Sequence, residues 1–248
     1  MTQATRRERL RAETERDIRR QARALLVHRG REAVTLRAIA REVGITAPAL
    51  YRYYDSREDL LRRLCDDICR DLEAELYAAL APLGEDAGPE QVYAVCRGFR
   101  HWALAHPQEF SLVFASTENV IGRCGTKGDL LVGDQFGKVF LEVAGRLIAK
   151  HQHPHPDGSG PPEPPAELHA DLRAFQQVLI KTVAARGIEV DEEALHLGAI
   201  FHILQAWVRL YGHVALEVFG RFPFAVSDPE PMFDAMLGSI LTPMGVEE

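Results

Sequence analysis

The sequence predicts an all-α protein: an N-terminal three-helix head of helix-turn-helix type, followed by a helical body. Three observations carry this. Every stretch with clear periodicity repeats its apolar residues at i, i+3, i+4 and i+7, the spacing of one helix face. No internal repeat appears, and every element assigned is a helix. Between Val34 and Leu61 two short helical patterns flank a Gly-containing turn, in the order that a helix-turn-helix requires.

The elements follow in order. Residues 1–12 are rich in Arg and read as a tail, with a basic arm reaching DNA phosphates or the minor groove as the alternative. From about Glu13 to His28 a helix carries Ile18, Ala22, Leu25 and Leu26 on one stripe, with Arg16, Arg19, Arg20 and Arg23 outside it and Gly30 at its end. Leu36, Ile39, Ala40 and Val43 make the next apolar face, with Thr35 as a candidate N-cap and Gly44 as the residue that tolerates positive φ at the C-terminus. Thr46 can cap a third helix, and Pro48 suits its first turn because that N–H has no intrahelical partner. Leu50 and Tyr54 then point inward. Ser56 and Asp59 approximate a capping box for a long helix to about Leu80, along which Leu60, Leu61, Leu64, Ile68, Leu72 and Leu76 keep the helical period.

The body continues with a helix over Pro89–Ala105, a break at His106-Pro107 and a short helix to Ala115. Residues 116–128 read as loop, and Asp129–Lys150 as helix. Residues 151–165 hold six prolines and two glycines, so they form an exposed loop or a disordered insertion. Helix returns over Pro165–Arg186. Asp191 is a candidate cap for a helix to about Phe219 that is apolar nearly all round, and such a helix must be covered on both sides. A last helix spans Asp228–Leu241. The domain division expected is 1–60 for the head and 61–248 for the body.

Composition bounds the function. The net charge of −7 conceals an asymmetry: residues 1–56 hold 13 Arg and 7 acidic residues, a surplus of six positive charges, while the remainder carries −13. A basic head suits phosphate binding. No run of about 18 apolar residues suggests a membrane span, and no secretory signal is evident, so a cytoplasmic protein is expected. The four cysteines, Cys65, Cys69, Cys96 and Cys124, read as free thiols. Cys65 and Cys69 share a helix face and read as small buried hydrophobes, with thiol sensing as the alternative. His151, His153 and His155 lack Cys or carboxylate partners at ligand spacing, so no metal and no cofactor is expected. No phosphate loop, Gly-x-Ser-x-Gly, His-Glu-x-x-His or Cys-x-x-Cys occurs, and no enzyme is predicted.

Thr35, Ile39, Ala40, Val43-Gly44-Ile45-Thr46, Ala49-Leu50-Tyr51, Tyr53-Tyr54, Ser56-Arg57 and Leu60-Leu61 resemble the DNA-binding module of the TetR family of transcriptional regulators. The resemblance implies a recognition helix over about Ala47–Tyr53, with Ala47, Pro48 and Ala49 near base edges. Those small side chains can touch thymine methyls but cannot make bidentate hydrogen bonds. Arg37 and Arg52 are better suited to guanine. Thr35, Thr46, Tyr51, Tyr53 and Arg57 match family positions that grip phosphates, which fix register without reading sequence. The run Trp207-x3-Tyr211-Gly212-His213 with Leu216-Glu217 and Gly220 is similar to a C-terminal domain of such regulators marked by a Trp-His-Gly element, with Tyr211 where His usually precedes Gly.

The partners implied are double-stranded DNA with a palindromic operator, a small-molecule effector and a second copy of the chain, paired through helices about 192–219 and 229–241. One head reads few base pairs; two heads about 34–36 Å apart read a palindrome. The ligand site implied is an aromatic-rich interior formed by Phe99, Trp102, Phe110, Phe114, Phe136, Phe140, Phe175, His202 and Trp207, with Phe201, Tyr211, Gln205 and His213 nearby on the long helix. A repressor released by an apolar or aromatic molecule is the function expected. An activator or effector-independent DNA binder, and an apolar-ligand carrier or enzyme with an incidental helix-turn-helix, are the alternatives.

Overall fold

Helix is the only regular structure among the described residues, apart from short 3-10 turns. The computed structural model describes residues 6–84, 87–115, 135–150, 163–188, 190, 194–223 and 225–244. Cys124, His151, His153, His155, Asp191 and the expected loop at 116–128 lie outside them. The chain divides into two compact units. The first contains α1 (Arg6–Arg29), α2 (Leu36–Val43), α3 (Ala47–Leu50), the start of α4 (Arg57–Leu80) through Asp71, and α6 (Pro107–Phe114). The second contains α4 from Leu72, α5 (Pro89–Ala105), α7 (Gln135–Lys150), α8 (His169–Ala184), α9 (Leu197–Val218) and α10 (Glu230–Leu241).

In the first unit α1 begins at Arg6, not at Glu13. Residues 6–12, read as a tail from their charge, are Arg, Glu, Leu and Ala, all good helix formers without Gly or Pro, and they extend the helix. Ile18, Ala22, Leu25 and Leu26 are buried as their spacing predicts. The chain leaves α1 through Gly30, at φ 77°, and a 3-10 turn over Arg31–Ala33. Thr35 Oγ1 then accepts from the Ala38 N–H, opening α2, and Gly44 closes it at φ 76°, with the Ile45 N–H bonded back to the Ala40 carbonyl at 3.0 Å.

Thr46 Oγ1 caps α3 by accepting from the Ala49 N–H at 3.3 Å. This helix is shorter than expected: it ends at Leu50, and residues 51–53 form turns in which Arg52 N–H bonds Ala49 O and Tyr53 N–H bonds Leu50 O. Such i to i+3 bonds tighten a terminal turn. Ser56 Oγ accepts from the Asp59 N–H at 3.1 Å at the start of α4.

Ion pairs fasten α1 to the other long elements of its unit. Arg19 Nε donates to Asp67 at 2.5 Å and its Nη1 donates to the Tyr54 hydroxyl at 3.2 Å. Arg23 bridges Asp71 of α4 and Glu109 of α6, the latter only 2% exposed.

In the second unit, Leu141, Ile148, Leu172, Leu179, Val183, Leu195 and Ile200 form a core between α7, α8 and α9. Gly145 permits close helix contact there: a Cβ on it would lie 2.6 Å from Val183 Cγ1. The other side of α7 is tied by Glu142, which is nearly buried. It accepts from the Tyr77 hydroxyl at 2.8 Å and from Arg146 at 2.7 Å, and Arg186 lies 3.8 Å away. Burial, and then this carboxylate, push the Tyr77 hydroxyl up to about 12.

Two boundaries differ from expectation. The segment from Pro165 opens as a 3-10 turn, Ala166–Leu168, before α8. The helix expected from about Asp191 starts at Leu197, where His196 Nδ1 accepts from the Ala199 N–H at 3.3 Å. Leu195 is fully buried, and its carbonyl accepts from Gln176 Nε2 at 2.7 Å, so this segment is held against α8 before α9 can begin. Among the described residues no helix is long and apolar enough to cross a membrane.

Candidate nucleic-acid interface and ligand chamber

The first unit presents its short helices with their predicted contact residues largely outward. Thr35, Arg37, Thr46, Pro48, Tyr51 and Arg52 are exposed, Tyr51 by 56%; Ala47, Ala49 and Tyr53 are half-buried. Leu50, Tyr54, Leu36, Ile39 and Ala40 lie beneath and hold them. Thr35 and Thr46 use their hydroxyl oxygens as caps, which leaves each O–H proton free to donate to an anion. Arg57, matched to a phosphate-gripping position, has its guanidinium turned inward: Nε donates to Val34 O at 2.7 Å and Nη2 to Arg31 O at 2.9 Å. It thus satisfies carbonyls where the chain leaves the 3-10 turn, a role that spacing alone does not reveal.

In the second unit a chamber with a volume of about 100 Å³ lies between α5, α7, α9 and α10, partly open rather than sealed. Val92, Val95 and Cys96 face it from α5. Phe140, Leu141, Val143, Ala144 and Leu147 face it from α7. His202, Ile203, Ala206, Trp207 and Leu210 face it from α9, and Leu237, Ile240 and Leu241 from α10. None of these side chains bears a carboxylate, ammonium or guanidinium. His202 Nε2 lies 2.7 Å from Ile240 O and must donate to it, so the ring is neutral with Nδ1 as acceptor, or doubly protonated. Burial holds its pKa below the usual histidine range, against the pull of that carbonyl, which selects the neutral form. Burial pushes the Cys96 thiol up to about 12, so it lines the wall as a thiol.

Of the nine residues expected around a ligand, Phe140, His202 and Trp207 line this chamber. Phe99 and Phe136 stand behind, with ring centroids 5.8 and 6.3 Å from Trp207. Trp102 is buried in α5 away from the lining. Phe175 packs on the α7–α8–α9 core. Phe110 and Phe114 are placed in the other unit, where they stack at 4.9 Å, because α6 is held to α1 by the Arg23–Glu109 pair. Aromatic content pointed to these residues, yet most of the wall is aliphatic. Its signal in the sequence was the ordinary apolar stripe, which core and chamber share. Cys65 and Cys69 are buried, and among the described residues no three His, Cys, Asp or Glu side chains group so as to hold a metal ion.

Two buried histidines give a pH dependence. Burial lowers both His202 and His213 from their ordinary value. The folded state therefore binds fewer protons than the unfolded state once the pH drops below the unfolded pKa of about 6.5. Their contribution to stability is complete above that pH and is lost progressively as the pH falls through and below it. Urea unfolding is expected to give lower stability at pH 5.5 than at pH 7.5, and the double replacement of His202 and His213 by Gln should flatten that difference.

Comparison with known proteins gives the following. Residues 18–64 match the family described as bacterial regulatory proteins, tetR family, and residues 92–240 match the tetracyclin repressor-like C-terminal domain. The HTH-type transcriptional regulators Rv1816 of Mycobacterium tuberculosis and Mb1846 of Mycobacterium bovis are each 26% identical over 232 residues, covering 89% of this chain and 91% of theirs. A solved structure described as a candidate regulatory protein, SCO4313, is 25% identical, with a TM-score of 0.64 over 96% of this chain and 100% of that one. A Rhodococcus sp. RHA1 protein of unknown function, 18% identical with a TM-score of 0.51 over 90% of this chain and 93% of that one, shares the fold.

Proposed function

We propose, for a chain that belongs to the TetR family of bacterial regulatory proteins, that it is a homodimeric repressor whose two heads bind a palindromic operator, and that an uncharged apolar molecule entering the chamber releases it. The chamber is the observation that carries this reading. A dry, filled body would favour a DNA binder without an effector. Here an apolar space sits among four helices, with one histidine as a polar anchor.

The volume suggests how release works. A cavity of about 150 Å³ lined by Leu, Ile and Phe holds a benzene molecule. At about 100 Å³ the chamber is smaller. A ring-sized effector seated wholly inside would therefore push the walls apart, and would bind the expanded packing better than this one. That differential affinity is what lets a ligand shift a population. The head contacts are assigned as the sequence suggests: Thr35, Thr46, Tyr51 and Tyr53 to phosphates, Ala47, Pro48 and Ala49 to base-edge methyls, Arg37 and Arg52 to bases. Arg57 supports them by fixing the segment before Thr35.

Dimerisation is assigned to the outer faces of α9 and α10. Val208 (67% exposed), Leu216, Phe219 and Met232 are apolar side chains left in solvent on these helices. Pairing two copies about a two-fold axis would cover them.

Selection of bound sequences from random DNA, repeated with small-molecule extracts, tests the reading. A palindrome with half-sites about one helical turn apart is expected, with recovery lost in some extract fractions. Failure to recover any palindrome would end it. On that operator, Tyr51→Ala should weaken binding to all sequences alike, whereas Arg52→Ala should relax discrimination at one base position by about 1–3 kcal/mol. Competition with single-base operator variants distinguishes the two.

A further inference from the structure

We propose that Arg7, on the first turns of α1, is an additional contact to the DNA backbone, made outside the helix-turn-helix. The inference rests on the head being the DNA-binding unit. It starts from the buried stripe of α1. Ile18, Ala22 and Leu25 face the interior of the head. At about 100° per residue the same stripe continues toward the start of the helix through Arg11 and Arg7, seven and eleven positions before Ile18. Where the core ends, the inward face becomes basic.

Arg11 shows what this face meets. Its guanidinium lies over the Tyr53 ring, 5.8 Å from the centroid, and its Nε donates to Glu15 Oε1 at 3.1 Å. The contacts run in order along the helix. Arg19 reaches the Tyr54 hydroxyl, Glu15 O is 3.5 Å from that hydroxyl, and Arg11 covers Tyr53. Moving toward the start of α1 therefore moves past residues 54 and 53, along the segment assigned to phosphates. Arg7 lies one turn, or roughly 6 Å, further on the same face. It is exposed, like Arg6 and Arg9. The occupant that fits a basic face running on from Tyr53 is the polyanionic strand that Tyr51 and Tyr53 grip.

Arg9 provides the internal control. It lies about 160° round the helix from both Arg7 and Arg11, on the side away from Tyr53. A diffuse electrostatic effect would treat Arg7 and Arg9 alike; a contact would not.

The test uses the full chain and the operator selected by the wild type, with affinity read by fluorescence anisotropy across a salt series. Both sites are exposed, and circular dichroism confirms folding. Arg7→Gln is expected to lower the slope of log affinity against log salt by about 0.9, one phosphate contact, and to weaken specific and non-specific DNA several-fold alike. Arg9→Gln should leave the slope at the wild-type value. Equal slopes for Arg7→Gln and wild type, or an equal fall in Arg9→Gln, would overturn the contact while leaving operator binding intact. A wild type that binds no DNA would overturn the head's assignment and this inference together.

Discussion

Replacing Arg100 by Ala is expected to cost about 3 kcal/mol of folding stability, at the low end of the range for breaking a buried ion pair. Arg100 on α5 holds Glu217 on α9 with two parallel hydrogen bonds, Nε to Oε2 at 2.8 Å and Nη2 to Oε1 at 2.7 Å. The side chains are only 15% and 9% exposed. The guanidinium also lies over the Phe233 ring of α10, 5.3 Å from its centroid, so it joins three helices. Without it Glu217 would stay buried beside His213 Nε2, 4.0 Å away, which carries a charge only when protonated. His213 is held down first by burial and also by the charge of Arg100. Removing that charge lets His213 protonate more easily beside Glu217. The deficit of Arg100→Ala should therefore be largest above pH 7 and shrink below pH 6. Replacing Arg100 and Glu217 together by Met, which leaves no orphaned charge, should cost much less. A deficit under 1 kcal/mol in urea unfolding at pH 7.5 would show that the pair is not sheltered from water.

The second large effect concerns the chamber. Ala206→Leu adds three carbons to a wall residue of α9 and suits a helix. It fills space that an effector would need without charging the wall or displacing the head. Operator affinity should stay within about twofold of the wild type, while the concentration of the releasing compound needed for half-dissociation should rise at least about tenfold, equivalent to 1.4 kcal/mol of lost binding. Filling a void with buried carbons should also raise stability slightly. Unchanged release by the compound that dissociates the wild-type complex would place the effector elsewhere.

Much of this architecture was legible because local signals agree with the fold. Thr35, Gly44, Thr46 and Ser56 announced their caps, and the apolar stripes announced their buried faces. The start of α1 is not legible from charge alone, because Arg and Glu are also strong helix formers. The late start of α9 depends on Gln176 holding the Leu195 carbonyl, a contact between residues 19 apart that no periodicity encodes. The chamber was harder still. Phe110 looked as suitable as Phe140, but α6 belongs with the head, where Glu109 pairs with Arg23, 86 residues away. Arg19 and Arg23 were legible as polar positions on α1, but their partners Asp67, Asp71 and Glu109 were not.

Gly145 bears on which part of the chamber gives way. With no methyl group there, Val183 rests almost on the backbone of α7, and retreat from α8 would open a vacuum that nothing refills. On its other flank α7 is roped to Tyr77 through Glu142. The neighbouring Val143 and Ala144 therefore form an anvil, and any guest molecule would make its room by lifting the opposite side, where α9 and α10 are joined by the bonds from His202 to Ile240 O and from Arg209 to Ser239.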